Sequence, residues 1–405
     1  MAYTGALKKE GNTSAKPSKE SVNENSGVIE GRWGNKKIPL FGYDWPLFIA
    51  TLLLIAFGLI MLYSASSYIS LSDYGYSYFY ARKQLLVSLF GLLVMAIVSV
   101  IPMRFWKTVS VPAFIFGLFL IFLVKTSLGV ESNGAKRWLN IGGVSVQPAE
   151  VLKLATIIML AFVISKFEKW LDDWRIFFPI FILGLIPAGL VAVVTDDLGT
   201  AIIFFGILFV MLFVACKKYR YLAVSAIVLI AAAIYFIVSE EYRLLRIKAW
   251  LSIEDYADST GYQIMQGLYA IGSGGIFGKG LGKSTQKLSF VPEAENDMIF
   301  SIICEELGLI GVIILCLLYG IILWRMKKVF DRTKDTYARL AVAGVAAHIT
   351  IQAIVNMCVV TNLFPNTGVP LPFVSYGGTS TLILLAEIGL VMAASRNSYK
   401  VVKKT

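Results

Sequence analysis

The stretch Phe290 to Gly311, FVPEAENDMIFSIICEELGLIG, sets an acidic turn at the head of an apolar run. Glu293, Glu295 and Asp297 precede the run, and Glu305 and Glu306 lie inside it. Pro292 disfavours helix just before the turn, and Asn296 or Asp297 is placed to cap a helix beginning at Met298. At 1.5 Å per residue, Glu305 and Glu306 then fall ~12 Å along the helix from Asp297. Carboxylates in an apolar segment are costly, which makes them candidates for function.

The rest of the chain explains what that helix enters. Of 405 residues, 57% are hydrophobic and 16% charged, and the mean hydropathy is +0.72. A soluble domain carries about 25% charged residues. Apolar runs long enough to cross ~30 Å of hydrocarbon recur from Asp44 onward, so the sequence predicts an all-α polytopic membrane protein. Hydropathy gives about ten transmembrane helices, near 45–66, 84–101, 108–125, 148–165, 176–194, 198–215, 220–238, 298–323, 339–360 and 379–395. They form one membrane domain over 44–396. Before it, residues 1–43 read as a disordered polar tail, and 397–405 form a short basic tail. No cleavable signal peptide is evident, since the first apolar run is too long for a signal core.

Lys and Arg alternate between connections. They gather before the first span, after the second, fourth and sixth, between the eighth and ninth, and in the C-terminal tail. By the positive-inside rule both termini are cytoplasmic, and 67–83, 126–147, 239–297 and 361–378 lie outside. The net charge of +11 thereby reads as topology and contact with anionic membrane lipids, not as nucleic-acid binding. The four cysteines, Cys216, Cys304, Cys316 and Cys358, lie in or beside apolar runs without metal-ligand spacing and read as inert thiols.

The large outer loop, 239–297 between helices 7 and 8, has enough aromatic residues to predict short ordered helices on the membrane surface. Its GKGLGKS segment, Gly278 to Ser284, is not a nucleotide loop: Phe277 stands where the first glycine belongs, and no strand precedes it. In the 126–147 loop, Lys136, Arg137 and Trp138 precede Gln147, Pro148, Glu150 and Lys153. These are either an interfacial anchor or an anion site in which Lys136, Arg137 and Lys153 converge on a phosphate-bearing lipid. Asp297 is either a helix cap or a catalytic acid–base group, and Glu293 either solvated or functional. His348, Gln352 and Asn356 share one helix face, as an interhelical seam or a proton relay, and Glu387 is placed to pair with them. The segment Pro365 to Gly378, with three prolines and repeated glycines, predicts a rigid re-entrant or cavity-lining loop.

Taken together, these motifs resemble the RodA/FtsW family, the SEDS proteins. The resemblance rests on Gly134 to Leu139, Gln147 to Glu150, Asp197 to Thr200, Phe290 to Gly308 and Pro365 to Gly378, in the family's order and spread across the membrane domain. It implies a peptidoglycan glycosyltransferase that polymerises lipid II at the outer face, with a class B penicillin-binding protein (a transpeptidase) as partner. It also implies that the family's essential outer-loop aspartate falls on Asp297, its basic loop residues on Lys136 and Arg137, and its glutamate and lysine on Glu150 and Lys153. The sequence departs from the family at Glu295-Asn296, where many members have His-Thr, at Thr195-Asp196, and at Glu387.

The implied chemistry suits the residues. A sugar 4-hydroxyl attacks an anomeric carbon and expels a lipid diphosphate. Asp297 takes the proton, Gln147 and Glu293 join the substrate site, and basic groups with a divalent cation (Mg or Mn) stabilise the leaving charge. No nucleotide is needed. The alternatives are a lipid II flippase or ion-coupled transporter using the intramembrane carboxylates, and a scaffold that activates a partner synthase.

Overall fold

A computed structural model describes residues 42–132, 135–238 and 241–402. The tail expected over 1–43 therefore lies outside the described residues as far as residue 41, as do residues 403–405. The helices run α1 (Trp45–Tyr74), α2 (Phe79–Val100), α3 (Met103–Leu123), α4 (Pro148–Phe167), α5 (Trp174–Val194), α6 (Leu198–Ala215), α7 (Arg220–Val238), α8 (Glu241–Leu251), α9 (Tyr262–Gly274), α10 (Ile299–Arg332), α11 (Thr336–Val360) and α12 (Gly378–Val402). Among the described residues nine of these are long and apolar enough to cross a membrane. The tenth expected span is α7, of which the stretch Arg220–Ala231 qualifies as a shorter apolar helix. Several helices outrun their expected ends: α1 continues past 66 to Tyr74 and α10 past 323 to Arg332. Hydropathy finds only the apolar middle of a helix, and these ends are polar.

Local chemistry fixes the helix starts. Asp44 accepts from Leu47 N at 3.1 Å, and Pro46 occupies the first turn of α1, where a missing N–H costs nothing. Asp197 caps α6 by accepting from Thr200 N at 2.9 Å. Pro148 opens α4, as expected. α11 packs against α4, α6, α10 and α12 and so forms the centre of the bundle.

Contacts sort the connections into two ends. At one, Arg325 pairs with Asp44 at 2.7 Å, Arg396 donates to the Tyr43 hydroxyl and the Val100 carbonyl, and Arg339 reaches Glu168. At the other, Arg137 donates to the 195–196 carbonyls, Gln147 N donates to Thr379, and Tyr376 N donates to the Glu295 carbonyl. The basic connections meet at the first end, in agreement with the alternation of charge along the sequence.

One element was not expected within the helical fold. Strands β1 (Gly129–Ser132), β2 (Ala135–Ile141) and β3 (Val144–Val146) form an antiparallel meander in the 126–147 loop. Gly142 and Gly143 turn between β2 and β3 with φ of 60° and 84°, the left-handed pair that a two-residue hairpin requires.

A second difference concerns the large loop, whose glycine-rich part does not simply lie on a surface. α10 is broken at Gly308, with φ 63° and ψ −157°, a conformation open essentially to glycine alone. The break frees backbone groups deep in an apolar helix, and the loop satisfies them. Lys279 N and Gly280 N donate to the Glu305 and Glu306 carbonyls at 2.9 Å each, and Leu309 N and Ile310 N donate to Gly275 and Ile276. The approach needs glycine on the loop side too: a Cβ on Gly274 would stand 1.9 Å from the Cys304 carbonyl oxygen.

The two carboxylates beside the break hold the same loop. Glu305 pairs with Lys279 at 2.6 Å and accepts from Ser284 and Thr285, while Glu306 pairs with Lys287 at 2.8 Å and accepts from Ser64 at 2.7 Å. Both are fully buried and fully partnered, which is the condition under which charge persists in such a place. Glu305 and Glu306 are ties between α10, α1 and the loop.

Candidate active site

Asp297 lies one residue before the start of α10's N-cap turn. The expected capping is absent: the N-cap is Met298, with no side-chain hydrogen bond, and the helix begins at Ile299. The chain instead folds back through a tight turn in which Asn296 N and Met298 N donate to the Glu293 carbonyl, with Glu293 itself at φ 54°. This turn directs the Asp297 carboxylate sideways, where Gln263 of α9 donates to its Oδ1 at 3.3 Å. Gln263 in turn accepts from Asn366 at 2.8 Å, and Gly368 N donates to the Asn366 side chain. A Cβ on Gly368 would stand 3.7 Å from Asp297 Oδ2. Three distant segments therefore meet at one carboxylate: α9, the acidic turn and the Pro/Gly loop.

Burial pushes the Asp297 carboxyl up to about 7, the charge on Glu293 adds to the rise, and the hydrogen bond from Gln263 opposes it. Near neutrality such a group takes up and releases a proton readily. Glu295, buried in the same turn, is also raised by burial and then by Glu293. Glu293 is half-buried and accepts from the Asn296 side chain. Its position beside Asp297 gives it an electrostatic role whatever else it binds.

The expected basic cluster does not assemble as drawn from the sequence. Lys136 is exposed on β2, while Arg137 donates to the carbonyls of Thr195 and Asp196 at 3.1 and 2.7 Å. Lys153 sits inside the bundle at 1% exposure, paired with Glu150 at 2.8 Å and donating to Gln352 at 2.8 Å. The reason is helical geometry: Lys153 is one turn into α4 on the face that meets α11, not on the loop side. Gln147 N donates to the Thr379 hydroxyl and ties the sheet to the start of α12.

Lys153 joins a buried polar chain. His348 Nδ1 lies 2.8 Å from Glu387, and its Nε2 lies 2.9 Å from Gln352 Oε1, which also accepts from Lys153. Gln352 Nε2 donates to the Pro370 carbonyl at 3.0 Å, which fixes the orientation of that amide. Both His348 nitrogens thus lie within hydrogen-bond distance of side-chain oxygens, one from α12 and one from α11 itself. Four residues further along α11, Asn356 donates to the Val369 and Asp297 carbonyls. The stripe is an interhelical seam that joins α4, α11 and α12 to the Pro/Gly loop, and it ends on the backbone of Asp297. The loop itself packs into the protein, with Val369, Leu371, Phe373 and Val374 buried.

Gln263 and Asn366 escaped the reading of the sequence as site residues. Nothing local marks Gln263, a polar residue at the start of an ordinary amphipathic helix, and its importance comes from the fold. Among the described residues no group of three or more His, Cys, Asp or Glu side chains could hold a metal ion.

A bundle of apolar helices, with a carboxylate raised to about 7 in the acidic turn that leads into α10, defines a multi-pass membrane protein with a candidate acid–base site. The model of the FtsW/RodA/SpoVE family, described as "Cell cycle protein", matches residues 44–400. The chain belongs to that family and is a multi-pass protein of the bacterial cytoplasmic membrane. It is 37% identical over 357 residues to stage V sporulation protein E of Bacillus subtilis, covering 88% of this chain and 97% of the relative. It is 36% identical over 365 residues to a probable peptidoglycan glycosyltransferase FtsW of Trichlorobacter lovleyi, covering 89% and 95%. Among solved structures it resembles a chain of a peptidoglycan synthase complex that coordinates polymerization and crosslinking (TM-score 0.74, 27% identity, 88% of this chain and 99% of that one). It also resembles the rod shape determining protein RodA of Thermus thermophilus (TM-score 0.64, 28% identity, 88% and 98%).

Proposed function

We propose that this chain is a peptidoglycan glycosyltransferase that polymerises lipid II, with Asp297 as its general base. The observation that carries the assignment of the base is the Asp297 carboxylate itself: held by Gln263, unused as a helix cap, and raised to about 7. The family supplies the reaction. The oxygen of a sugar 4-hydroxyl forms a bond to the anomeric carbon of a second, lipid-linked sugar. The bond from that carbon to the diphosphate breaks, the polyprenyl diphosphate leaves with the electron pair, and Asp297 receives the hydroxyl proton.

In this reading Lys136, exposed on the sheet, is the basic group open to the diphosphate, and Arg137 braces the sheet against the 195–197 connection. Lys153 and Glu150 act from within, by fixing the Pro/Gly loop through Gln352. A divalent cation (Mg or Mn) would have to be held largely by the diphosphate's own oxygens and would there offset the charge of the leaving group. The partner is a class B penicillin-binding protein, in line with the synthase complex whose chain this one resembles.

The test is polymerisation of lipid II by the purified protein, alone and with a class B partner. Wild type is expected to give glycan polymer, and Asp297→Asn, folded by the same thermal criterion, none. Polymer from both would remove Asp297 from the chemistry. Lipid II flipping without polymer would assign the buried carboxylates to transport instead.

A further inference from the structure

One residue removed from Asp297, through Gln263, lies a cavity of about 270 Å³. Its polar and aromatic walls include Arg246 and Trp250 of α8, Tyr262 and Gln263 of α9, Asn362 just after α11, and Asn366 of the Pro/Gly loop. Two of these form the chain of contacts to the carboxylate, since Asn366 donates to Gln263 and Gln263 donates to Asp297. Tertiary bonds hold the walls: Arg246 donates to the Asn366 carbonyl at 3.2 Å and Trp250 Nε1 to the Asn362 carbonyl at 3.0 Å.

The volume falls just below the ~300–1,000 Å³ of sites that enclose a whole small molecule, so the cavity takes one ring of a larger ligand. No carboxylate is among its lining residues, and its one cation is engaged with a backbone carbonyl. A diphosphate is therefore poorly served, and a polyprenyl tail would meet amides and hydroxyls. Two aromatic residues with three side-chain amides match a different chemistry: a pyranose with apolar C–H faces, hydroxyl groups and an N-acetyl amide.

We infer that this cavity is the subsite for the N-acetylated sugar whose 4-hydroxyl attacks, and that Gln263 passes that hydroxyl to Asp297. The inference rests on the polymerase reading for the word "attacks", while the binding of a saccharide stands by itself. Gln263 is a positioning residue here, because it touches both the cavity and the base.

The experiment uses the full chain in detergent and a soluble N-acetylglucosamine–N-acetylmuramic acid disaccharide as probe, with binding read by saturation-transfer NMR. Wild type and Asp297→Asn are expected to bind it alike. Trp250→Ala is expected to weaken binding about tenfold or more, with a matching rise in KM for lipid II. Thr260→Trp, at the exposed rim, fills the cavity without removing any packed group and is expected to do the same. Disaccharide binding unchanged in both variants, or absent from wild type, overturns the subsite. Binding that Thr260→Trp abolishes, in a protein that makes no polymer, supports the saccharide site and defeats the polymerase reading alone.

Discussion

The side-chain amide of Asn356 donates to the carbonyl of Asp297 at 2.7 Å, and its second proton goes to the carbonyl of Val369 at 2.8 Å. One buried residue of α11 thus fixes both the acidic turn and the Pro/Gly loop, and it does so from within the helical seam. The position of the base is set by the bundle, and the loops that bear the chemistry are held at their backbones.

Asn356→Ala is expected to leave two carbonyls without a donor, at about 1–3 kcal/mol of stability. The effect on turnover should be larger. A shift of ~1 Å in a catalytic group costs up to about a hundredfold in rate, so kcat should fall ten- to a hundredfold with KM little changed. Steady-state kinetics on lipid II check this, and an equal rise in KM would show that the residue serves binding instead.

The pH dependence follows from Asp297. A general base must be ionised, so kcat/KM should rise with pH through a limb near 7 and level off above it. Glu293→Gln removes a charge that raises the Asp297 pKa, so the limb should move to lower pH. The stability effect has the opposite direction. With the folded pKa above the ordinary 3.8, folding favours the protonated form, and stability falls as pH rises from about 4 to about 7. Asp297→Asn should therefore raise Tm relative to wild type at pH 8 and do so much less at pH 4.

Much of this was legible in the chain itself. Hydropathy and the alternation of Lys and Arg gave the helices and their sorting into two ends, because bilayer thickness and charge placement act on each segment locally. The glycines at 142–143 between Ile141 and Val144 carried a hairpin signal that the apolar runs on either side obscured. The break at Gly308 and the convergence of Gln263 and Asn366 on Asp297 were not legible. They depend on contacts between residues tens of positions apart, and no local pattern encodes which amide will reach which carboxylate. Lys153 shows the same limit: its type suggested an anion site, and its helix face made it a buried partner of Glu150 and Gln352.

That buried pair makes a separate prediction. Glu150→Gln leaves the Lys153 ammonium without its carboxylate at 1% exposure, which should cost about 3–5 kcal/mol. Glu150→Leu with Lys153→Met replaces both charges by apolar groups of similar size and should recover most of that loss. A double-mutant cycle by thermal unfolding in detergent measures it. Activity should fall even where stability returns, because Gln352 then loses the Lys153 bond that helps hold it against the Pro370 carbonyl.

Gly308 tests the link between the broken helix and the outer loop. A Cβ there would stand 2.4 Å from Gly278 N and 2.5 Å from the Ile276 carbonyl oxygen, both backbone atoms that cannot step aside. The backbone conformation is also one that alanine resists by about 1–3 kcal/mol. Gly308→Ala should therefore expel the loop or straighten α10, and either change frees Lys279 and Lys287 from Glu305 and Glu306. Lys279 is the more exposed of the two lysines, so its amine should become reactive to a water-soluble acylating reagent in the variant and stay protected in wild type. Equal labelling in both, with an unchanged Tm, would mean that the glycine is not needed to seat the loop.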